Sequence, residues 1–195
     1  MDIPNYSNPL SMTQTFLFLP PLIETSISYA GIGSRCTPSS ILNLMERIAL
    51  ILAQCGLVLR SGGAVGADLA FEKGCDRAFG KKEIFLPWGG FNGSDSPLFP
   101  PSNKAEALAA SHHPNWEACT HVARKFHARN CQQVLGKALN DPVDFVLFGA
   151  PETNGVVEGG TAMSVRLARQ RGIPAFNLWD NKTRANWTAL VKASE

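Results

Sequence analysis

Two glycine-rich turns constrain this chain more than any other feature. The first lies in Val58-Leu59-Arg60-Ser61-Gly62-Gly63-Ala64-Val65-Gly66-Ala67-Asp68, the second in Gly155-Val156-Val157-Glu158-Gly159-Gly160-Thr161-Ala162-Met163. Each follows an apolar run that reads as a buried strand, and each opens onto a helix-like stretch. Glycine lets backbone N–H groups approach a ligand closely, and a helix N-terminus carries partial positive charge. Two such turns on one sheet predict a pocket for a phosphorylated ligand, a nucleotide first of all.

The rest of the chain supplies the sheet. Ser26 to Ser34 reads as a first strand ending in Gly31-x-Gly33, and Thr37-Pro38-Ser39-Ser40 is helix-start chemistry. Ile41, Leu44, Met45, Ile48, Ile51, Leu52 and Cys55 recur at helical spacing, with Gly56 as a natural stop. Leu57–Arg60 is strand two, and a helix runs from Ala67 to about Phe79. Glu83–Pro87 is strand three, and residues 88–104 form a polar loop. A short helix over 104–111 precedes a longer one from Trp116 to Leu139, bent near Arg129. Asp144–Gly149 is a buried strand, Pro151–Gly155 a turn, Ala162–Arg171 a helix, Gly172–Leu178 a last strand and Asn186–Lys192 a terminal helix. Strands alternating with helices imply right-handed crossovers and a mainly parallel sheet flanked by helices, an α/β Rossmann-like fold in one domain. Ligands then bind at the carboxyl ends of the strands, where the glycine turns lie.

Composition narrows the class. The 195 residues are 45% hydrophobic and 17% charged, with a net charge of +2, which is globular and not strongly basic. The five cysteines, Cys36, Cys55, Cys75, Cys119 and Cys131, form no CxxC pair, so they read as reduced thiols in a cytoplasmic protein. The apolar run from Thr15 to Ile23 is short, broken by Pro20 and Pro21, and lacks a basic flank. Residues 1–25 are therefore expected to be an irregular segment before a nucleotide-binding domain over 26–195.

Tyr29-Ala30-Gly31-Ile32-Gly33-Ser34-Arg35, Ser61 to Asp68, Arg129-Asn130 with Val134-Leu135-Gly136, and Gly159-Gly160-Thr161-Ala162 with Arg166-Leu167-Ala168 and Gly172-Ile173-Pro174 occur in that order. This set resembles the SLOG superfamily, which includes DNA-processing protein A and the Lonely guy phosphoribohydrolases. The likeness covers about residues 26–180. It implies a Rossmann-like nucleotide-binding domain, often dimeric, with Arg129-Asn130 at a helix start. The overall pattern is similar to small single-domain proteins of phage and mobile-element genomes. Two departures stand out. The Lonely guy motif Pro-Gly-Gly-x-Gly-Thr-x-x-Glu lacks its final glutamate here, where Ala162-Met163-Ser164-Val165 follows Thr161. The extra domains and basic surface of DNA-processing protein A are also missing.

Asp68 and Glu72 are one helical turn apart and share a face, so they read either as a catalytic pair for N-glycosidic cleavage or as helix N-terminal electrostatics. Glu158 beside the second turn suits ribose hydroxyls or is a solvated charge. Arg35 and Arg129 offer planar guanidinium groups to a phosphate, with Asn130 beside the latter. Gly31, Gly33, Ser34, Ser61, Gly62, Gly63, Gly159, Gly160 and Thr161 complete the expected binding set. Trp88 is a base-stacking candidate, with Trp116 second to it. His112, His113, His121 and His127 show no usual metal spacing, and no carboxylate completes a set. They read as surface or packing histidines, and neither a metal nor a cofactor is expected. Three functions stay open: a nucleoside 5′-monophosphate N-glycosidase, a non-catalytic nucleotide-binding or sequestering protein, and a single-stranded DNA binder. The expected partner is a small-molecule nucleotide, with a second copy of the chain and no membrane.

Overall fold

The computed structural model describes residues 27–194. The expected irregular segment over 1–25 lies outside them. Five strands form one parallel sheet: β1 (Ser28–Gly33), β2 (Val58–Ser61), β3 (Lys82–Ile84), β4 (Phe145–Gly149) and β7 (Ala175–Asn177), in the spatial order β3-β2-β1-β4-β7. A two-stranded antiparallel hairpin, β5 (Glu152–Thr153) with β6 (Val156–Val157), follows β4. The helices are α1 (Ser39–Gln54), α2 (Ala67–Arg77), α3 (Asn103–His112), α4 (His121–Leu135), α5 (Thr161–Gln170) and α6 (Asn181–Ala193).

The order follows from the crossovers. The chain winds outward through β1, β2 and β3, then returns through α3 and α4 to lay β4 on the other side of β1. Gly33 pairs with Gly149 at the tips of β1 and β4. This reversal is the switch point at which open α/β sheets leave a crevice beyond the strand ends.

Alternating residues build a core on each face of the sheet. Tyr29, Leu59, Phe145 and Leu147 pack with α1, α2 and α6, while Ala30, Ile32, Val146 and Phe148 pack with α4 and α5. Helix α1 buries Ile41, Leu44, Met45, Ile48 and Leu52 and ends before Gly56, whose φ is +84°. Gly74 permits the closest helix contact. A Cβ there would lie 2.0 Å from the Glu46 carbonyl oxygen on α1.

Several boundaries differ from those expected. Helix α4 starts at His121, not Trp116, because Thr120 caps it by accepting from the Ala123 N–H at 3.2 Å. It stops at Gly136, whose φ is +73°, so Arg129-Asn130 sits within the helix and not at its start. Helix α6 begins earlier than expected because Asp180 accepts from Thr183 N–H at 2.8 Å. The last strand is shorter than expected, and the turn over Pro151–Gly155 is instead part of the β5–β6 hairpin.

Candidate functional site

The loops after β1, β2 and β4 all open at the carboxyl edge of the sheet. Helix α4 joins two of them through consecutive residues. Arg129, buried within the helix, donates from Nη1 to Asp68 Oδ2 at 3.3 Å and packs against Gly62. Asn130 donates from Nδ2 to the Gly160 carbonyl at 2.8 Å. One turn on, Ser164 Oγ donates to the Asn130 carbonyl at 3.3 Å and reaches Gln133 Oε1 at 3.4 Å. The two glycine turns therefore flank one stretch of α4.

The first turn is tightly filled. A Cβ on Gly62 would stand 1.7 Å from Arg129 Nη1, and one on Gly66 would stand 2.8 Å from the Arg35 backbone. Asp68 is 3% exposed and accepts from the Gly33 N–H at 3.2 Å as well as from Arg129. Burial pushes its carboxyl up and the Arg129 guanidinium down, each offset in part by the other. Removing either partner would leave a buried charge uncompensated. Asp68 thus ties β1, α2 and α4 together.

Glu72 differs from Asp68. Burial raises its carboxyl to about 7, while Lys82, with Nζ 3.9 Å from Oε2, and the Gly63 N–H pull the other way. Its Oε1 is buried without a hydrogen-bond partner, as are Arg129 Nε and Gln133 Nε2. Gln133 Nε2 lies against Gly62 beside the Arg129 guanidinium, and native proteins ordinarily satisfy such buried polar groups. A carboxyl that titrates near neutrality can accept or give a proton at physiological pH.

The second turn is open. A Cβ on Gly159 or Gly160 would meet no atom within 4 Å. Gly159 has φ +71°, the left-handed region, and Gly160 is helical at φ −63°. Thr161 begins α5, and Glu158 lies exposed just before the turn. Arg35 is exposed on the β1 loop, beside Ser34, whose Oγ accepts from Cys36 N–H at 3.1 Å.

Other expected residues sit deeper. Gly31 faces the core, where a Cβ would stand 2.6 Å from Phe71, and Gly33 is pressed against Ala67 and Gly149. Ser61 is fully buried and donates to the Gly31 carbonyl at 2.7 Å. Their small size lets β1 and β2 carry the loops at this spacing. Trp88 stays 37% exposed and meets Phe91 and Phe126 edge-on at 5.1 and 5.5 Å. Asn92 ties this aromatic group to the first turn by donating to the Gly63 carbonyl at 2.9 Å. Arg60, read only as a strand end, is buried and paired with Glu83 and Asp141.

Gln133 and Ser164 were missed by the sequence reading. Both are polar residues at buried helical positions, and that mismatch was the available signal. Of the four histidines, the fold brings His113 and His127 together with Cys119, with one ligand atom from each lying within 4.8 Å of the others.

Solved structures share this architecture. The chain is similar to the molybdenum cofactor carrier protein of Chlamydomonas reinhardtii, with TM-score 0.50 and 17% identity over 87% of this chain and 86% of that one. It is similar to the molybdenum cofactor binding protein of the phototrophic bacterium Rippkaea orientalis, with TM-score 0.52 and 18% identity over 87% of each chain. It is also similar to DNA processing protein A of Helicobacter pylori, described for its single-stranded DNA binding mode, with TM-score 0.53 and 19% identity over 87% of this chain and 82% of that one. No protein-family model matches the chain, and no curated protein does. A likeness at this identity carries the architecture, while activity resides in the site. Among the described residues no helix is long and apolar enough to cross a membrane.

Proposed function

We propose that the crevice binds a phosphate-bearing small molecule of the nucleotide class, with its phosphate on the Gly159–Thr161 turn. One observation carries this reading: the second turn is unobstructed at the N-terminus of α5, while Asn130 holds it beside the first turn. Free N–H groups and the helix dipole at such a turn favour an anion. In this reading the exposed Arg35 adds a bidentate phosphate contact and the part-exposed Trp88 stacks on a base. Calorimetric titration of the full chain with nucleoside 5′-monophosphates, their unphosphorylated nucleosides, the molybdenum cofactor and a single-stranded oligonucleotide tests it. The reading expects saturable binding of a phosphorylated small molecule and at least about tenfold weaker binding without the phosphate, equivalent to 1.4 kcal/mol. Equal affinity with and without phosphate, or binding of the oligonucleotide alone, overturns it.

Glu72 favours a second, finer reading: hydrolysis of the ligand's N-glycosidic bond. In that reaction the C1′–N bond breaks, a water oxygen bonds to C1′, and the base leaves with a proton. Glu72, near neutrality, would manage the proton. Free base released from a nucleoside monophosphate panel, and lost in Glu72→Gln, supports it. Binding without any turnover leaves the protein a nucleotide-binding or sequestering protein.

A further inference from the structure

His113, Cys119 and His127 lie outside the proposed crevice and belong to none of its chemistry. His113 caps the C-terminus of α3, Cys119 lies in the loop before α4, and His127 is on α4 itself. Cys119 Sγ is 3.7 Å from each ring nitrogen of His113, and the two imidazole centroids are 4.5 Å apart. Zinc bound by nitrogen at 2.0–2.1 Å and by sulfur at 2.3 Å in a tetrahedron puts neighbouring ligand atoms roughly 3.5 Å apart. Cys119 and His113 are near that spacing, and all three donors lie within 4.8 Å of one another, a gap that side-chain rotation can close.

Two further observations point the same way. His127 Nδ1 is buried and has no hydrogen-bond partner. Trp116 flanks the group, with its ring 6.0 Å from His113 and 6.3 Å from His127. Ordinary packing would not require three strong metal donors from three segments to converge on one point.

We propose that His113, Cys119 and His127 form a binding site for a zinc-class divalent cation, with the fourth coordination position open to solvent or an exogenous ligand. Binding converts the Cys119 thiol to a thiolate and releases its proton to solvent, so one S–H bond is replaced by one metal–sulfur bond. Borderline-soft sulfur and imidazole ligands select zinc over calcium or magnesium. The metal pins the segment between α3 and α4 onto α4, one helical turn before Asn130, the residue that holds the second glycine turn. The site does not depend on what the crevice binds.

Cobalt substitution tests the proposal in the full-length reduced protein. One equivalent of Co2+ should give a thiolate-to-cobalt charge-transfer band and visible bands of tetrahedral intensity, displaced by one equivalent of Zn2+. Cys119→Ser should abolish the charge-transfer band. His127→Gln or His113→Ala should weaken Zn2+ binding in a competing-chelator assay by more than roughly 100-fold, beyond the 10- to 100-fold typical of outer-shell changes. The exposed Cys36 and Cys55 are the controls, and a Cys36→Ser, Cys55→Ser double variant should keep the full spectrum. Circular dichroism establishes that each variant is folded. Should Cys119→Ser not fold, His113→Ala, altered at a half-buried helix end, carries the test alone. A charge-transfer band that persists without Cys119, a band that vanishes in the double variant, or no stoichiometric binding by the wild-type chain overturns the proposal.

Discussion

The two glycine turns look alike in sequence and do different work. At the first, glycine is required because neighbours press on the backbone: Arg129 against Gly62 and the Arg35 backbone against Gly66. At the second, nothing presses on it, and a side chain on Gly159 or Gly160 would project into open space. At the first turn Gly62 is buried against Arg129, while at the second Gly159 and Gly160 stand exposed with free space around them. Glycine content alone does not separate a packing device from a binding cradle. The space around each missing Cβ does.

The largest effect that would break this comparison comes from Gly62→Ala. The added methyl must displace the Arg129 guanidinium and so disrupt the buried pair with Asp68. We expect a loss of about 3–5 kcal/mol, the range for breaking a buried ion pair, read as a lowered denaturation midpoint. A change under about 1 kcal/mol would mean that the first turn is not clenched as described.

Next is the pH dependence set by Glu72. Its carboxyl moves from an ordinary 4.5 to about 7 on folding, so between these values the native state holds more protons than the unfolded chain. Stability therefore falls as pH rises through that window, by about 3 kcal/mol in all. Glu72→Gln should remove this slope in urea titrations at stepped pH. A wild-type slope of the opposite sign would show that Glu72 is ionised and satisfied in the native state.

Smaller effects belong to the second turn. Gly159→Ala forces a Cβ into the left-handed region and should cost about 1–2 kcal/mol by thermal or chemical melting. Gly160→Ala has helical backbone angles and free space, so stability should stay within about 0.5 kcal/mol of wild type. The same methyl would stand where a phosphate approaches, so affinity for the phosphorylated ligand should drop at least about tenfold, or 1.4 kcal/mol. Unchanged affinity would sharpen the comparison against a cradle at this turn.

Much of the architecture was legible in the chain. The apolar runs at 28–33, 58–61 and 145–149 form neighbouring strands, and the first glycine turn follows a strand of that sheet, while the second follows the separate β5–β6 hairpin instead of a strand of the same sheet. What escaped was set by tertiary contact. Ser61 reads as a phosphate ligand until the Gly31 carbonyl is found 2.7 Å from its hydroxyl. The family resemblance puts Arg129-Asn130 at a helix start. Within α4 the same pair braces two loops from behind. The two-residue strands β5 and β6 are too short for any periodicity to show. Cys119 reads only as a reduced thiol because His113 and His127 become its neighbours only once α3 folds back beside α4.

Amide chemical-shift mapping tests the central claim most directly. Uniformly labelled protein would be titrated with a nucleoside 5′-monophosphate that binds in calorimetry. The account predicts the largest shifts at Gly159, Gly160, Thr161 and Ala162, with a second group at Ser34, Arg35, Gly62 and Gly63. Saturating shifts confined to residues outside both groups would contradict it.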